Sequence, residues 1–130
     1  MSPLKNKKLL IVEDEPMLRE SIADLFLMMG VEVAVSANGL EAFAMLTERW
    51  FDIVISDINM PLSNGVELMK KIKSIPGERP ICFLLTGHFE TNAVEMHALG
   101  VSQIFHKPFK AMEFISEIER YVSMSHGSPV

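Results

Sequence analysis

Ile53-Val54-Ile55-Ser56-Asp57-Ile58-Asn59-Met60-Pro61 is the stretch that decides how this chain folds. It opens with three β-branched residues, a strand-length apolar run, and the run stops on a carboxylate followed by turn-forming Asn and Pro. A continuous rather than alternating apolar pattern suits a strand covered on both faces, as in parallel sheets. The same arrangement recurs outward in both directions. Leu9-Leu10-Ile11-Val12 runs into Glu13-Asp14, Ile81-Cys82-Phe83-Leu84-Leu85 into Thr86-Gly87, and Ile104-Phe105-His106 into Lys107-Pro108.

Apolar runs begin near residues 9, 31, 53, 81 and 102. They lie roughly 20 to 30 residues apart, room for the helical crossover that parallel strands require. Between the runs the spacing predicts helices. Leu18, Ile22, Leu25, Phe26 and Met29 share a face, with Gly30 as the stop. Asn38 caps a second helix that runs through Leu46 and ends before Trp50, and Asn64-Gly65 opens a third through Ile72 and Ile75, stopped by Pro76-Gly77. A weaker fourth runs from about Thr91 to Leu99 and ends at Gly100. The last places Met112, Ile115, Ile118, Tyr121 and Val122 on one face, with Glu113, Glu117 and Arg120 opposite. Strands alternating with helices predict an α/β fold, a doubly wound five-stranded parallel sheet. Residues just past the carboxyl ends of its strands then meet on one edge, where such folds place their ligands.

The 130 residues fit one domain with a self-supporting core, spanning about 8–122, and residues 123–130 read as a frayed tail. The longest apolar runs are strand-length, so membrane insertion is not expected, and the basic start meets Glu13-Asp14 too soon for a secretory signal. Cys82 is the single cysteine. It sits inside an apolar run, reads as a packing residue, and makes a reducing cytoplasm the default compartment. Net charge is −5, and Lys70, Lys71 and Lys73 on one helix read as a solvated face rather than a nucleic-acid surface. His97, His106 and His126 lack the spacing of a zinc site.

Glu13-Asp14, Asp57, Thr86 and Lys107-Pro108, in this order and each at a strand end, together resemble the response-regulator receiver family of two-component signalling, the group that includes the chemotaxis receivers. The resemblance covers residues 8 to about 122. It implies the flavodoxin-like strand order 2-1-3-4-5 and Asp57 as the phosphoaccepting nucleophile, which takes its phosphoryl group from a histidine kinase or histidine phosphotransfer protein of a phosphorelay. It also implies Mg²⁺ as the cofactor, with Asp14 and Asp57 as direct ligands, Glu13 acting through water and the backbone carbonyl of Asn59 as a further ligand. Lys107 would pair with one phosphoryl oxygen and Thr86 would hydrogen-bond another, while the bond before Pro108 would be cis. The physical chemistry agrees: crowded carboxylates attract a hard divalent cation, and phosphoryl transfer needs positioned cations more than covalent machinery.

The chain departs from the family pattern at one place. Three residues before the lysine, where receivers carry Tyr or Phe as a switch, stands Ile104; the aromatic is Phe105, which on a strand points to the opposite face and reads as core. Asn59 and His88 are expected to flank the path of attacking water. No Lys or Arg lies between Arg79 and Lys107, so the charged network of dimerising receivers is incomplete. Leu27 and Met28 fall off the core stripe of the first helix and are candidate contacts for the phosphodonor. The output partner is not specified by these residues. The competing readings are a receiver module of a larger regulator or hybrid kinase and a non-phosphorylated interaction module on the same fold. A nucleotide or hydrolase enzyme is disfavoured, because Glu13-Asp14-Glu15-Pro16 is no Gly-rich phosphate loop.

Overall fold

The computed structural model describes residues 2–60, 62–87 and 92–126. Its elements alternate strictly: β1 (Lys8–Val12), α1 (Pro16–Leu27), β2 (Glu32–Ser36), α2 (Gly39–Glu48), β3 (Ile53–Asp57), α3 (Gly65–Lys73), β4 (Ile81–Thr86), α4 (Ala93–Ala98), β5 (Val101–His106) and α5 (Ala111–His126). The five strands form one parallel sheet in the order 2-1-3-4-5, as expected.

Strand residues alternate between two apolar layers. Leu9, Ile11, Ile53, Ile55, Phe83, Leu85 and Phe105 pack with Ile22 and Phe26 of α1 and Phe114, Ile118 and Val122 of α5. Leu10, Val12, Val54, Cys82 and Leu84 pack with Ala42 of α2, Leu68, Met69 and Ile72 of α3 and Met96 of α4. Both faces of the central strands are therefore covered, which is why their sequences read as continuous apolar runs.

Local chemistry sets the helix ends. Asn38, Asn64 and Asn92 cap α2, α3 and α4 by accepting from the amides of Glu41, Glu67 and Glu95, and Glu67 returns the bond to Asn64 as a full capping box. After α1, Gly30 takes a φ of +79°, and Val31 N–H bonds Phe26 O while Gly30 N–H bonds Leu27 O, a Schellman closure.

Three sequence expectations change. Met112 is exposed and Phe114 is buried. Two steps of three residues from Met112 to Ile118 each fall about 60° short of a full turn, which rotates Met112 out of the buried stripe. The last helix continues through His126, so residues 123–126 are not tail. The third helix stops at Lys73, leaving Ile75 just beyond its cap at Ser74. Thr91, taken as the start of the fourth helix, lies outside the described residues; α4 begins at Ala93.

Candidate functional site

Asp57 is the last residue of β3 and Thr86 the last of β4; Glu13 directly follows β1, and Lys107 directly follows β5. Each strand end is pinned by one further bond: Glu13 N–H to Ser36 O at 3.0 Å, Ile58 N–H to Leu85 O at 2.9 Å, and Lys107 N–H to Thr86 O at 2.7 Å. The backbone thus carries these side chains to the carboxyl edge of the sheet before any side-chain contact is made.

The side chains then converge. Lys107 Nζ lies 3.1 Å from Asp57 Oδ1 and 3.2 Å from Glu13 Oε1. Glu13, Asp14 and Asp57 each offer a carboxylate oxygen within 4.8 Å of the others. Glu13 and Asp57 are buried, whereas Asp14 is exposed. Thr86 is fully buried at the end of β4, and Asn59 is exposed in the β3–α3 loop. The Lys107–Pro108 bond is cis. Pro61 and His88, both singled out in the sequence, lie outside the described residues.

Electrostatics marks this edge as short of positive charge. Burial, then the charge of Asp57, pushes the Glu13 carboxyl up, against the pull of the Glu15 amide and Lys107. Burial pushes Asp57 up as well, more than contact with Lys107 brings it down, and Asp14 adds to the rise. Burial opposes the charge on Lys107, but its bonds and attraction to Asp57 and Glu13 outweigh that and hold it above the ordinary lysine value. One ammonium therefore does not neutralise three carboxylates. Oxygen donors this close, still under-neutralised, suit a hard divalent cation that keeps part of its water shell.

Two glycines allow the loop after β3 to fold over the site. A Cβ on Gly65 would stand 2.4 Å from Asp57 O, and one on Gly39 would stand 2.4 Å from Ser63 O. Sequence reasoning placed Gly65 at the opening of the third helix but missed Gly39, Ser36 and Ser63. It also missed Arg19, whose guanidinium donates to Glu13 O at 2.9 Å. Ser63 acts through its backbone carbonyl, and Ser36 through its carbonyl and a hydroxyl closed on its own turn, neither of which marks a site in the sequence. The position of Arg19, six residues past Glu13 on the first turn of a helix, was the one available signal.

Away from the acid edge, Ile104 and Phe105 part company as a strand requires. Phe105 is buried against Phe83 and Phe114. Ile104 is half-buried and lines a cavity of about 500 Å³ between α4 and β5, with Val94, Met96 and His106 among its neighbours. Leu27, the last residue of α1, and Met28, its C-cap, are exposed. Burial raises the Cys82 thiol to about 12, in keeping with a packing residue.

Comparison with known proteins gives a consistent result. A family model described as the response regulator receiver domain matches residues 9–119. Sporulation initiation phosphotransferase F of Bacillus subtilis is 30% identical over 122 residues, covering 93% of this chain and 98% of that protein. A probable transcriptional regulator of Porphyra purpurea is 31% identical over 116 residues, 88% of this chain but 56% of its own length. The chain spans about half the length of several such regulators. Among solved structures, a chemotaxis response regulator of Vibrio cholerae superposes with a TM-score of 0.80 at 28% identity, covering 91% of this chain and 99% of that one. A Thermotoga maritima response regulator, solved in complex with Mg²⁺ and BeF, gives 0.78 at 26% identity over 88% of this chain and 97% of that one.

Proposed function

This chain belongs to the response-regulator receiver family, and from that premise we propose that Asp57 accepts a phosphoryl group from a phosphohistidine of a histidine kinase or phosphotransfer protein. The observation that carries the proposal is the position of Lys107 Nζ, 3.1 Å from Asp57 Oδ1 at the edge where Glu13 and Asp14 also point.

Asp57, left ionised, attacks phosphorus in line; a carboxylate–phosphorus bond forms, the nitrogen–phosphorus bond of the donor breaks, and the departing imidazole takes up a proton. Lys107 turns from Asp57 to an oxygen of the transferred group, and Thr86, at the end of the neighbouring strand, donates its hydroxyl to another. Glu13, Asp14, Asp57 and the Asn59 carbonyl would hold Mg²⁺, which supplies the remaining charge neutralisation when bound. The Mg²⁺ assignment is supported by a donor set made only of oxygen and by the raised carboxyl pKa values of Glu13 and Asp57.

The readout we propose is partner switching rather than chemistry on a third molecule. The chain is a signalling module that catalyses only its own phosphorylation and dephosphorylation, in the cytoplasm, and its output partner is a protein. Direct nucleic-acid contact is not part of the proposal: the charge is −5. Among the described residues no helix is long and apolar enough to cross a membrane.

The test is incubation with acetyl phosphate and Mg²⁺, followed by intact-mass measurement. One hydroxylamine-sensitive adduct is expected, absent when Mg²⁺ is chelated and absent in Asp57→Asn. Unchanged labelling of Asp57→Asn would overturn the assignment, and no Mg²⁺-dependent labelling of the parent chain would favour the non-phosphorylated interaction module.

A further inference from the structure

β2 is the one strand that brings no acid, hydroxyl or amine to the proposed phosphorylation site, yet its loop touches both walls of that site. On one side Ser36 O accepts from the Glu13 amide at 3.0 Å. On the other, Gly39 N–H at the start of α2 donates to Ser63 O at 3.0 Å, in the loop that carries Asn59. Between these contacts the turn is closed on itself: Ser36 Oγ donates to Asn38 O at 2.8 Å and accepts from the Asn38 amide at 3.4 Å.

We propose that the β2–α2 turn, Ser36 to Gly39, is a positioning brace that sets the distance between the acid pair and the loop following Asp57, and so tunes divalent-cation affinity. The proposal rests on the reading of this edge as a Mg²⁺ and phosphoryl site and adds to it a set of residues that touch neither.

The loop itself carries the marks of an imposed shape. Leu62 is in the left-handed region at φ +68°, uncommon for a branched side chain. Ser63 is 3% exposed, and its hydroxyl has no hydrogen-bond partner among the described residues. Neither feature favours the loop in isolation, so the conformation is held from outside. Gly39 is where it is held, because nothing larger than hydrogen fits: an added Cβ would meet Ser63 O at 2.4 Å, Ser63 Oγ at 2.8 Å and Ser63 Cβ at 2.9 Å. Gly65 holds the other end, its amide donating to Ile58 O at 2.9 Å. Mg²⁺ demands near-ideal octahedral geometry, so a shift of the Asn59 loop by a fraction of an ångström relative to Asp14 changes its affinity.

The test reads Mg²⁺ binding directly, by calorimetry and by amide shifts of Asp14 and Asp57, on the full chain. Gly39→Ala should keep its far-UV circular dichroism but bind Mg²⁺ roughly tenfold more weakly, the effect typical of groups that orient metal ligands. Adding Ser63→Gly to it removes two of the three overlaps and lets the carbonyl retreat, so part of the affinity should return. Ser36→Ala opens the turn from its other end and should also weaken binding, which keeps the test intact if Gly39→Ala does not fold. Leu40→Ala, an exposed neighbour on the same helix, should bind as the parent does. A merely structural role would lower the melting temperature of Gly39→Ala and Ser36→Ala with parental Mg²⁺ affinity, and that outcome overturns the brace while leaving the site. A parent chain that binds no Mg²⁺ overturns the site and the brace together.

Discussion

Lys107 Nζ stands 3.1 Å from Asp57 Oδ1, so the cation that would neutralise an incoming phosphoryl group already touches the carboxylate that would receive it. The same ammonium holds Glu13 at 3.2 Å. A phosphoryl group on Asp57 would offer Lys107 more oxygens and more charge than Asp57 alone, drawing it away from Glu13. On the proposed reading the lysine would therefore be both a catalytic group and the link through which phosphorylation changes the acid edge.

Lys107→Ala separates these roles. The three carboxylates remain, so Mg²⁺ should still bind. Phosphorylation by acetyl phosphate should slow by roughly a hundredfold or more, the size expected when a positioned charge partner of the transferring group is lost. Comparing Mg²⁺ titrations with labelling rates for the variant decides it. Near-parental labelling would mean that another cation serves the phosphoryl group.

The raised carboxyls give a pH dependence with a definite sign. Glu13 and Asp57 hold their protons more tightly folded than unfolded, so between the ordinary carboxylate range near pH 4 and their raised values the folded state binds more protons. Their contribution to stability therefore falls as pH rises through that window. Lys107, also raised, contributes its ion pairs from the pH at which Glu13 and Asp57 ionise up to the ordinary lysine range, and loses them only as pH climbs through its own raised value. Metal-free Asp57→Asn should thus melt a few degrees above the parent at pH 7, with the gap closing towards pH 4 and shrinking when Mg²⁺ is added at pH 7. A gap independent of both pH and Mg²⁺ would show that the Asp57 charge is already compensated.

How much of this was legible follows from which atoms do the work. The strands were legible because a strand covered on both faces must be apolar at every position, and each run ended on a polar group at the same sheet edge. The acid edge was legible because Glu13, Asp14, Asp57, Thr86 and Lys107 are polar side chains standing at the ends of those apolar runs. Gly39, Ser36 and Ser63 were not, since Gly39 and Ser63 meet through backbone and a missing Cβ, and the Ser36 hydroxyl bonds the backbone of its own turn. Phe114 was passed over for Met112 because spacing by threes looks helical over two steps and drifts off the face. Leu4 was passed over because it lies outside any periodic run, in a segment read only for its charge.

Leu4 is nevertheless fully buried in the layer between the sheet and helices α1 and α5. Its segment is tied across the bottom of that layer by Asn6 N–H to Gly30 O at 2.9 Å and Ser2 Oγ to Glu119 Oε2 at 2.7 Å. Leu4→Ala should cost about 2–5 kcal/mol, the range for truncating a buried leucine. Urea unfolding measures it, with the acid edge unaffected in Mg²⁺ titrations. A loss below about 0.5 kcal/mol, the level of ordinary surface changes, would mean that the segment is dispensable.

A phosphoryl group on Asp57 would reach the rest of the surface through the strands beside it and the chain that follows them. Thr86 pairs with His106 across β4 and β5, and Ile104 and Phe105 lie just before it on β5. Phe105 is wedged between Phe83 at 5.8 Å and Phe114 at 4.8 Å between ring centroids, so its ring cannot swing without repacking a core layer. Ile104, on the other face, lines the α4–β5 cavity, but its branched side chain is stiff at χ1 and offers no hydroxyl to a partner. Pulling Thr86 towards a phosphoryl group should then be felt along the chain that follows it, into α4, more than along β5. With beryllofluoride and Mg²⁺ as the phosphate mimic, amide shifts should concentrate at Thr86, Gly87 and Ala93 to Ala98, while the Phe105 ring resonances stay near their starting positions. Shifts gathered at Ile104 and Phe105, with Thr86 and α4 unmoved, would overturn this route and place the switch on β5 after all.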